Sequence, residues 1–291
     1  MSDELGAATS TVTSGGMRLA VRTAGDAAGP TVVLVHGFPD TQSVWDPVAT
    51  RLVRDGVRVV TYDVRGAGAS EAPPSRAGYR VEHLVDDLVA VLAHAVPDGG
   101  SVHLVGHDWG SVQLWAAVAR EEHDERLRGR IASYTTISGP ALEHFGHYLR
   151  AALRRRDWRG LTGQLRRSWY VAAFQVPLLP EWVFRTLGDR IRTGLVRSQR
   201  LGPTPHWTGS FAADAARGVN LYRANASGGT GPRRPARTRV PVQLIVPRYD
   251  AFLSPAVYED LPRFAPDLTR VDVDAGHWVP QTHPDLVAGH V

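Results

Sequence analysis

Apolar positions along the 291-residue chain fall into short β-like runs separated by longer stretches of helical period. Thr9–Thr13 and Met17–Arg22 alternate apolar and polar around Ser14-Gly15-Gly16, which predicts a β-hairpin. Thr31–Val35 is a continuous β-branched run closed by His36-Gly37, the pattern of a strand buried on both faces. A helix-like stretch, Ser43 to Arg54, leads to a second such strand, Val57–Tyr62. An amphipathic helix over Val81–Ala95 precedes a third strand, Ser101–Val105, with a helix over Trp109–Glu122 directly after it. Arg130–Ile137 is a fourth strand. Such alternation predicts a mostly parallel sheet flanked by helices, because parallel neighbours need crossover connections.

The alternation then breaks. From Leu142 to Arg217 only helix-like segments appear, and Gly228–Thr238 reads as a turn-rich connector. Strand patterns resume at Val240–Val246 and Thr269–Val273, with a helix near Pro255–Phe264 between them. This predicts an α/β core, 1–139 and 236–291, interrupted by a helical cap over 140–235.

Composition changes this picture little. The 43% apolar and 21% charged fractions suit a chain that buries a sizeable core, and the lack of cysteine excludes disulfides and thiolate metal sites. The N-terminus shows no secretory pattern, and runs such as Val32–Val35 are far too short to span a bilayer. The expectation is a cytoplasmic protein without a membrane span. Every basic Lys/Arg position is an arginine, for a net charge of +4, and they crowd between Arg150 and Arg200, including Arg154-Arg155-Arg156. Such density suits an anionic surface, but in a lysine-free chain it reads first as a solvated helix face, with no nucleic-acid partner.

Candidate chemistry begins at Gly106-His107-Asp108-Trp109-Gly110, between a predicted strand and a predicted helix. Its glycines match G-x-S-x-G, a sharp turn that lifts the middle side chain above the sheet. Here the middle residue is Asp. Alone, an Asp in a Gly-flanked turn reads more readily as a helix N-cap. Two other residues change that reading: Asp250 follows the strand before the last, and His277 follows the last strand. Nucleophile, acid and histidine then emerge in that order at carboxyl ends of strands, where open α/β sheets place their sites. Ser138-Gly139-Pro140, after another strand, offers no carboxylate, while Asp272 and Asp274 fall within or at the end of the strand before His277. His36-Gly37-Phe38-Pro39 follows the first central strand, so the Phe38 and Trp109 amides are candidate oxyanion donors. His36 and the charges of Asp63–Ser70 read as loop scaffolding.

With these motifs the chain resembles the epoxide hydrolase branch of the α/β-hydrolases, from about Thr9 to Asp285. Two further segments carry the likeness: Ser168–Pro177, where the resemblance puts a ring-opening tyrosine at Tyr170, and Val219–Asn225, where it puts a second at Tyr222. It implies that Asp108 opens an epoxide to an alkyl-enzyme ester. His277, oriented by Asp250, then activates water to release a vicinal diol. It also implies a cis Phe38–Pro39 peptide, a mostly apolar small-molecule epoxide as substrate, and neither cofactor nor metal. Haloalkane or haloacid dehalogenases share the Asp-His-Asp logic. However, Phe38 stands where a halide-donating Asn is frequent, and Trp109 and Tyr170 stand where fluoroacetate-type enzymes carry Arg and His. A non-catalytic small-molecule-binding member of the fold is the reading from another class, and a turnover assay separates it. The chain ends at His290-Val291, short of the longer final helix usual in the family, and its cap motifs resemble those of hydrolases fused to short-chain dehydrogenases. A homodimer and a longer multidomain product both stay open.

Overall fold

A computed structural model of the chain describes residues 6–202, 206–207, 209–226 and 236–291. The hairpin forms from β1 (Ala8–Ser14) and β2 (Met17–Ala24), and its turn uses positive φ at Gly15 and Gly16. Six more strands follow: β3 (Thr31–Val35), β4 (Arg58–Tyr62), β5 (Val102–His107), β6 (Ile131–Ile137), β7 (Val242–Pro247) and β8 (Leu268–Val273). They make one eight-stranded sheet in the order β1-β2-β4-β3-β5-β6-β7-β8. The two hairpin strands pair antiparallel with each other, β2 joins β4 antiparallel, and the remaining neighbouring pairs are parallel.

Alternating side chains of the central strands feed two separate cores, because successive residues of a strand face opposite sides. Val33 and Val35 of β3 pack with α2 (Val81–Ala95) and α3 (Trp109–Val118). Val32 and Leu34 pack on the other face with α1 (Asp46–Arg54) and the C-terminal turns α9 (Val279–Thr282) and α10 (Pro284–Ala288). Numbered in chain order, the helices between β6 and β7 are α4 (Leu142–Arg155), α5 (Trp158–Arg167), α6 (Trp169–Ala173), α7 (Leu179–Ser198) and α8 (Phe211–Ala226). Since β6 pairs directly with β7, this whole stretch is an excursion that leaves the sheet uninterrupted. Among the described residues no helix is long and apolar enough to cross a membrane.

Two expected helices are corrected. The helix after β5 ends at Val118, four residues early, because Arg120–Asp124 offers no apolar face to bury and closes into turns. The stretch Pro255–Phe264 forms two 3-10 turns, Pro255–Tyr258 and Leu261–Arg263, instead of one helix. Pro262 lacks the N–H that a continuing helix needs, and its ring would clash with the carbonyl one turn back. Of the expected connector 228–238, residues 228–235 lie outside the described residues, as does the expected cap boundary at 235.

The turn between β5 and α3 is wedged against its neighbours. A Cβ on Gly110 would lie 2.0 Å from the Val35 carbonyl oxygen, and one on Gly37 would lie 2.6 Å from the Trp109 backbone nitrogen. In both cases the obstacle is held by backbone, so nothing flexible can yield. Gly110→Ala is therefore expected to cost about 3 kcal/mol or more, at the upper end of overpacking penalties. Gly194→Ala, in an open position of α7, should be neutral or stabilising by up to about 1 kcal/mol. Urea denaturation of the two variants measures this, and equal midpoints would refute the wedge.

Candidate active site

Asp108 sits at the β5–α3 turn with φ 53° and ψ −121°, a left-handed conformation that non-glycine residues seldom adopt. Packing enforces it. The Asp108 N–H donates to the Ile137 carbonyl at 3.0 Å, and Ser111 Oγ donates to Gly106 O at 2.6 Å while accepting from Ile137 N–H at 3.0 Å. The turn thus hangs from the end of β6. Its carboxylate faces the Phe38 N–H, which donates to Oδ1 at 2.8 Å, and the Trp109 N–H also contributes a hydrogen bond. The Phe38–Pro39 peptide is cis, as the resemblance implies. Burial raises the Asp108 proton affinity above that of an ordinary carboxylate, against the pull of His277, His107 and the two amides.

His277 is buried beside it, with Nε2 3.8 Å from Asp108 Oδ2. Its Nδ1 lies 3.0 Å from Asp250 Oδ2. An ionised carboxylate only accepts, so Nδ1 carries the proton and Nε2 is left to face Asp108. Asp250 in turn accepts from the Phe252 and Leu253 N–H groups at 2.8 and 3.1 Å. Burial opposes charge on both partners. Their mutual attraction outweighs it, holding Asp250 below the usual carboxylate range and His277 above the usual imidazole range. Asp272 and Asp274 pair instead with Arg270 and Arg248, away from His277.

Tyr170 on α6 and Tyr222 on α8 reach the same place from the helical excursion. Together with Asp108 and Phe252 they line both a cavity of about 490 Å³ and a smaller one of about 140 Å³. The larger one also reaches Phe38 and His277, and its remaining walls are almost wholly apolar, whereas Trp109 lines the smaller. The two tyrosine rings meet edge to face at 5.7 Å, and their hydroxyls interact through a hydrogen bond. Burial raises both phenols far above their ordinary range, helped by the Asp108 charge, so both stay protonated and able to donate. All seven residues singled out from the sequence therefore converge on this cleft, with Asp250 behind His277.

Sequence reasoning missed the supports. Arg223, next to Tyr222, donates from Nε to the Phe174 carbonyl at 2.6 Å and from NH2 to Val176 O at 2.7 Å, and pairs with Glu181. It fastens α8 to the turn after α6, and so one tyrosine to the other. Asn225 donates to Tyr79 O and accepts from the Val81 N–H, fastening α8 to the start of α2. Deeper still, Asp40 is fully buried. It accepts from Trp207 Nε1 at 2.8 Å and Trp278 Nε1 at 3.1 Å, with His206 Nε2 at 2.6 Å and His107 Nδ1 3.6 Å away. His107 Nε2 lies 3.0 Å from the His277 carbonyl. Arg223, Asn225 and His107 stand inside motifs already described, whereas Asp40 and His206 do not, and only the fold brings Asp40, His107 and His206 together. His36 and Asp63 act as loop scaffolding, as expected: His36 Nε2 accepts from the Val64 N–H, and Asp63 accepts from Gln42 and Ala69.

A family model described as the alpha/beta hydrolase fold matches residues 30–284. A protein of Mycobacterium tuberculosis named "Probable oxidoreductase EphD" is 38% identical over 289 residues, covering 95% of this chain but 47% of its own length. The chain thus spans about half of that relative. The "AB hydrolase superfamily protein YfhM" of Bacillus subtilis is 30% identical, covering 95% of this chain and 93% of itself. Among solved structures, a variant of an epoxide hydrolase from Bacillus megaterium superposes with a TM-score of 0.79 at 20% identity, over 97% of this chain and 98% of that one. The epoxide hydrolase VrEH1 from Vigna radiata gives 0.70 at 24% identity, over 98% and 96%. At such identities the likeness is one of fold.

The Asp40 cluster generates a stability prediction. Burial opposes the Asp40 charge, but His206 and His107 outweigh it and hold its proton affinity well below the ordinary range. A depressed folded value contributes stability above the unfolded value, near 3.9, and loses it as pH falls below that. Asp40→Asn turns an NH₂ toward donors and should cost about 2–3 kcal/mol at pH 7, the scale of hydrogen bonds to a charged group. Urea titrations should still show that deficit at pH 5 and a smaller one near pH 3. A deficit that vanishes by pH 5 would remove the charge from the argument.

Proposed function

This chain belongs to the alpha/beta hydrolase fold family, and within it we propose an epoxide hydrolase that works through an ester on Asp108. The observation that carries the reading is a carboxylate facing two protonated tyrosines across an apolar cavity, with a carboxylate-oriented histidine beside it. The reading divides the chain into a hydrolase core, 1–139 and 236–291, and a cap, 140–235, that supplies the tyrosines.

The two oxygens of Asp108 have different surroundings, and the difference suits two steps. Oδ1 is held by the Phe38 amide, while Oδ2 faces His277. Oδ2 attacks a ring carbon, the C–O bond of the ring breaks, and the leaving alkoxide takes a proton from the tyrosine pair. An alkoxide is strongly basic, so donors aimed at it act as general acids, worth about 10²–10⁴ in rate. Water then attacks the ester carbonyl carbon, losing its proton to His277 Nε2. Negative charge develops on Oδ1, already seated on the Phe38 and Trp109 amides. Collapse expels the diol oxygen, which recovers the proton from His277, and the regenerated Asp108 carboxyl gives up its remaining proton to restore the tyrosine pair. Halide, by contrast, leaves unprotonated and has no use for a general acid, which is why the epoxide reading is preferred to dehalogenation.

Three outcomes are expected. In a single turnover in ¹⁸O-water the label should enter Asp108 and leave the diol unlabelled, and His277→Gln should accumulate a mass adduct on the Asp108 peptide. Label in the diol would instead mean direct attack by water. Tyr170→Phe or Tyr222→Phe should slow ester formation about 10- to 100-fold, with the double change nearly abolishing it, while hydrolysis of a preformed ester is spared. Single variants that open epoxides at the parental rate, or a parent that releases halide faster than it forms diols, would sink the proposal.

The third outcome concerns pH. His277 must be neutral to accept a proton, and Asp250 with its neighbours raises its proton affinity above the ordinary value near 6.5. Hydrolysis should therefore fail as pH drops through a value above 6.5, while ester formation persists. The alkyl-enzyme should build up under mildly acidic conditions in quench experiments. Asp250→Asn should shift that limb to lower pH and slow hydrolysis by orders of magnitude. An unmoved limb would assign the titration to another group.

A further inference from the structure

Ten large apolar side chains are exposed among the described residues, and nine of them lie between Leu153 and Leu187. The same stretch carries seven exposed arginines against two acids, Asp157 and Glu181, and Glu181 is already paired with Arg223. Trp169 and Leu179 belong to both sets of observations: they are 68% and 49% exposed, and they line the larger cavity beside Asp108. The cavity therefore opens through an apolar rim. Leu178, 78% exposed, and Trp182, 59% exposed, extend that rim outward, with Trp182 one helical turn from Leu179 on α7. Arg166 and Arg167 flank it from the end of α5, and Arg185 from the next turn of α7.

We propose that this rim docks on an anionic lipid bilayer, so that the cavity draws an apolar substrate directly from the membrane. Exposed indoles and leucines interleaved with arginines suit the interface: the rings enter the boundary between headgroups and acyl chains, and the guanidinium groups remain among the phosphates. Isolated surface leucines need no explanation, but a concentrated patch does. Charge decides between occupants. A second copy would bring one arginine-rich face against another, whereas an anionic membrane complements it. Docking rests on the surface alone, while delivery of an epoxide rests on the function proposed above.

Flotation of the full chain with phosphatidylglycerol vesicles and with phosphatidylcholine vesicles tests this. The parent should float with the first far more than with the second, and high salt should weaken it. Leu178→Asn with Trp182→Ser, neither of which lines the cavity, should lower flotation about tenfold. The same variant should open water-soluble styrene oxide at the parental rate but act more slowly on a long-chain epoxide carried in anionic vesicles. Arg166→Gln with Arg167→Gln should reduce the preference for phosphatidylglycerol. A parent that fails to float, or variants that float equally well, would overturn docking. So would a parent that sediments as a dimer which Leu178→Asn with Trp182→Ser dissociates, since the rim would then join two copies. Flotation needs no turnover, so a protein that floats yet opens no epoxide overturns the activity and not the surface.

Discussion

The contact between the Phe38 N–H and Asp108 Oδ1 is the constraint around which the rest is arranged. It requires the ends of β3 and β5 to approach until no Cβ fits at Gly37 or Gly110. It also requires Asp108 to hold a left-handed backbone, at a cost of order 1–3 kcal/mol. That strain persists because β6 holds the turn from behind through Ile137 and Ser111. Three adjacent parallel strands, each buried on both faces, make a frame stiff enough to keep one side chain strained.

Electrostatics divides along the same frame. Asp108 lies on the cavity side of His277, and Asp40 lies behind the loop that carries it, saturated by indole and imidazole groups. Asp250 fills the remaining direction. The imidazole thus has carboxylates around it, only one of which it directly hydrogen-bonds. Burial alone would favour a neutral ring, and these carboxylates reverse the sign. The base of the proposed mechanism would gain from such a setting, because the imidazolium is stabilised while Nε2 still faces Asp108.

Much of this was legible along the chain, for identifiable reasons. Strands buried on both faces give unbroken β-branched runs, so β3 and β4 announced themselves, and glycines around Asp108 marked a turn that only small residues tolerate. The 3-10 turns near Pro262 were misread because the apolar spacing there resembles a helix and one proline outweighs it. Asp40, His107 and His206 were unreadable as a group, since their meeting depends on how the helical excursion folds back over β3 and on no local pattern. Arg223 was quoted inside a motif yet unassigned. Its three partners come from residues 174–181, a separation that sequence spacing cannot encode.

The helical excursion carries a different physical burden from the sheet. Its inward side must exclude water from Asp108, and Phe38, Phe174, Phe184 and Tyr222 do so through edge-to-face contacts at 5.1–6.0 Å. Excluding water raises the proton affinity of Asp108, which opposes its use as an anion at neutral pH. The two backbone amides pull the other way. They cannot titrate or move off, so they stabilise the carboxylate without taking or giving a proton themselves. The same dry cavity keeps both phenols protonated. A single environment thus separates a carboxylate from two neutral phenols within one cleft, because the Phe38 and Trp109 amides offset part of the burial at Asp108 while burial dominates at the phenols.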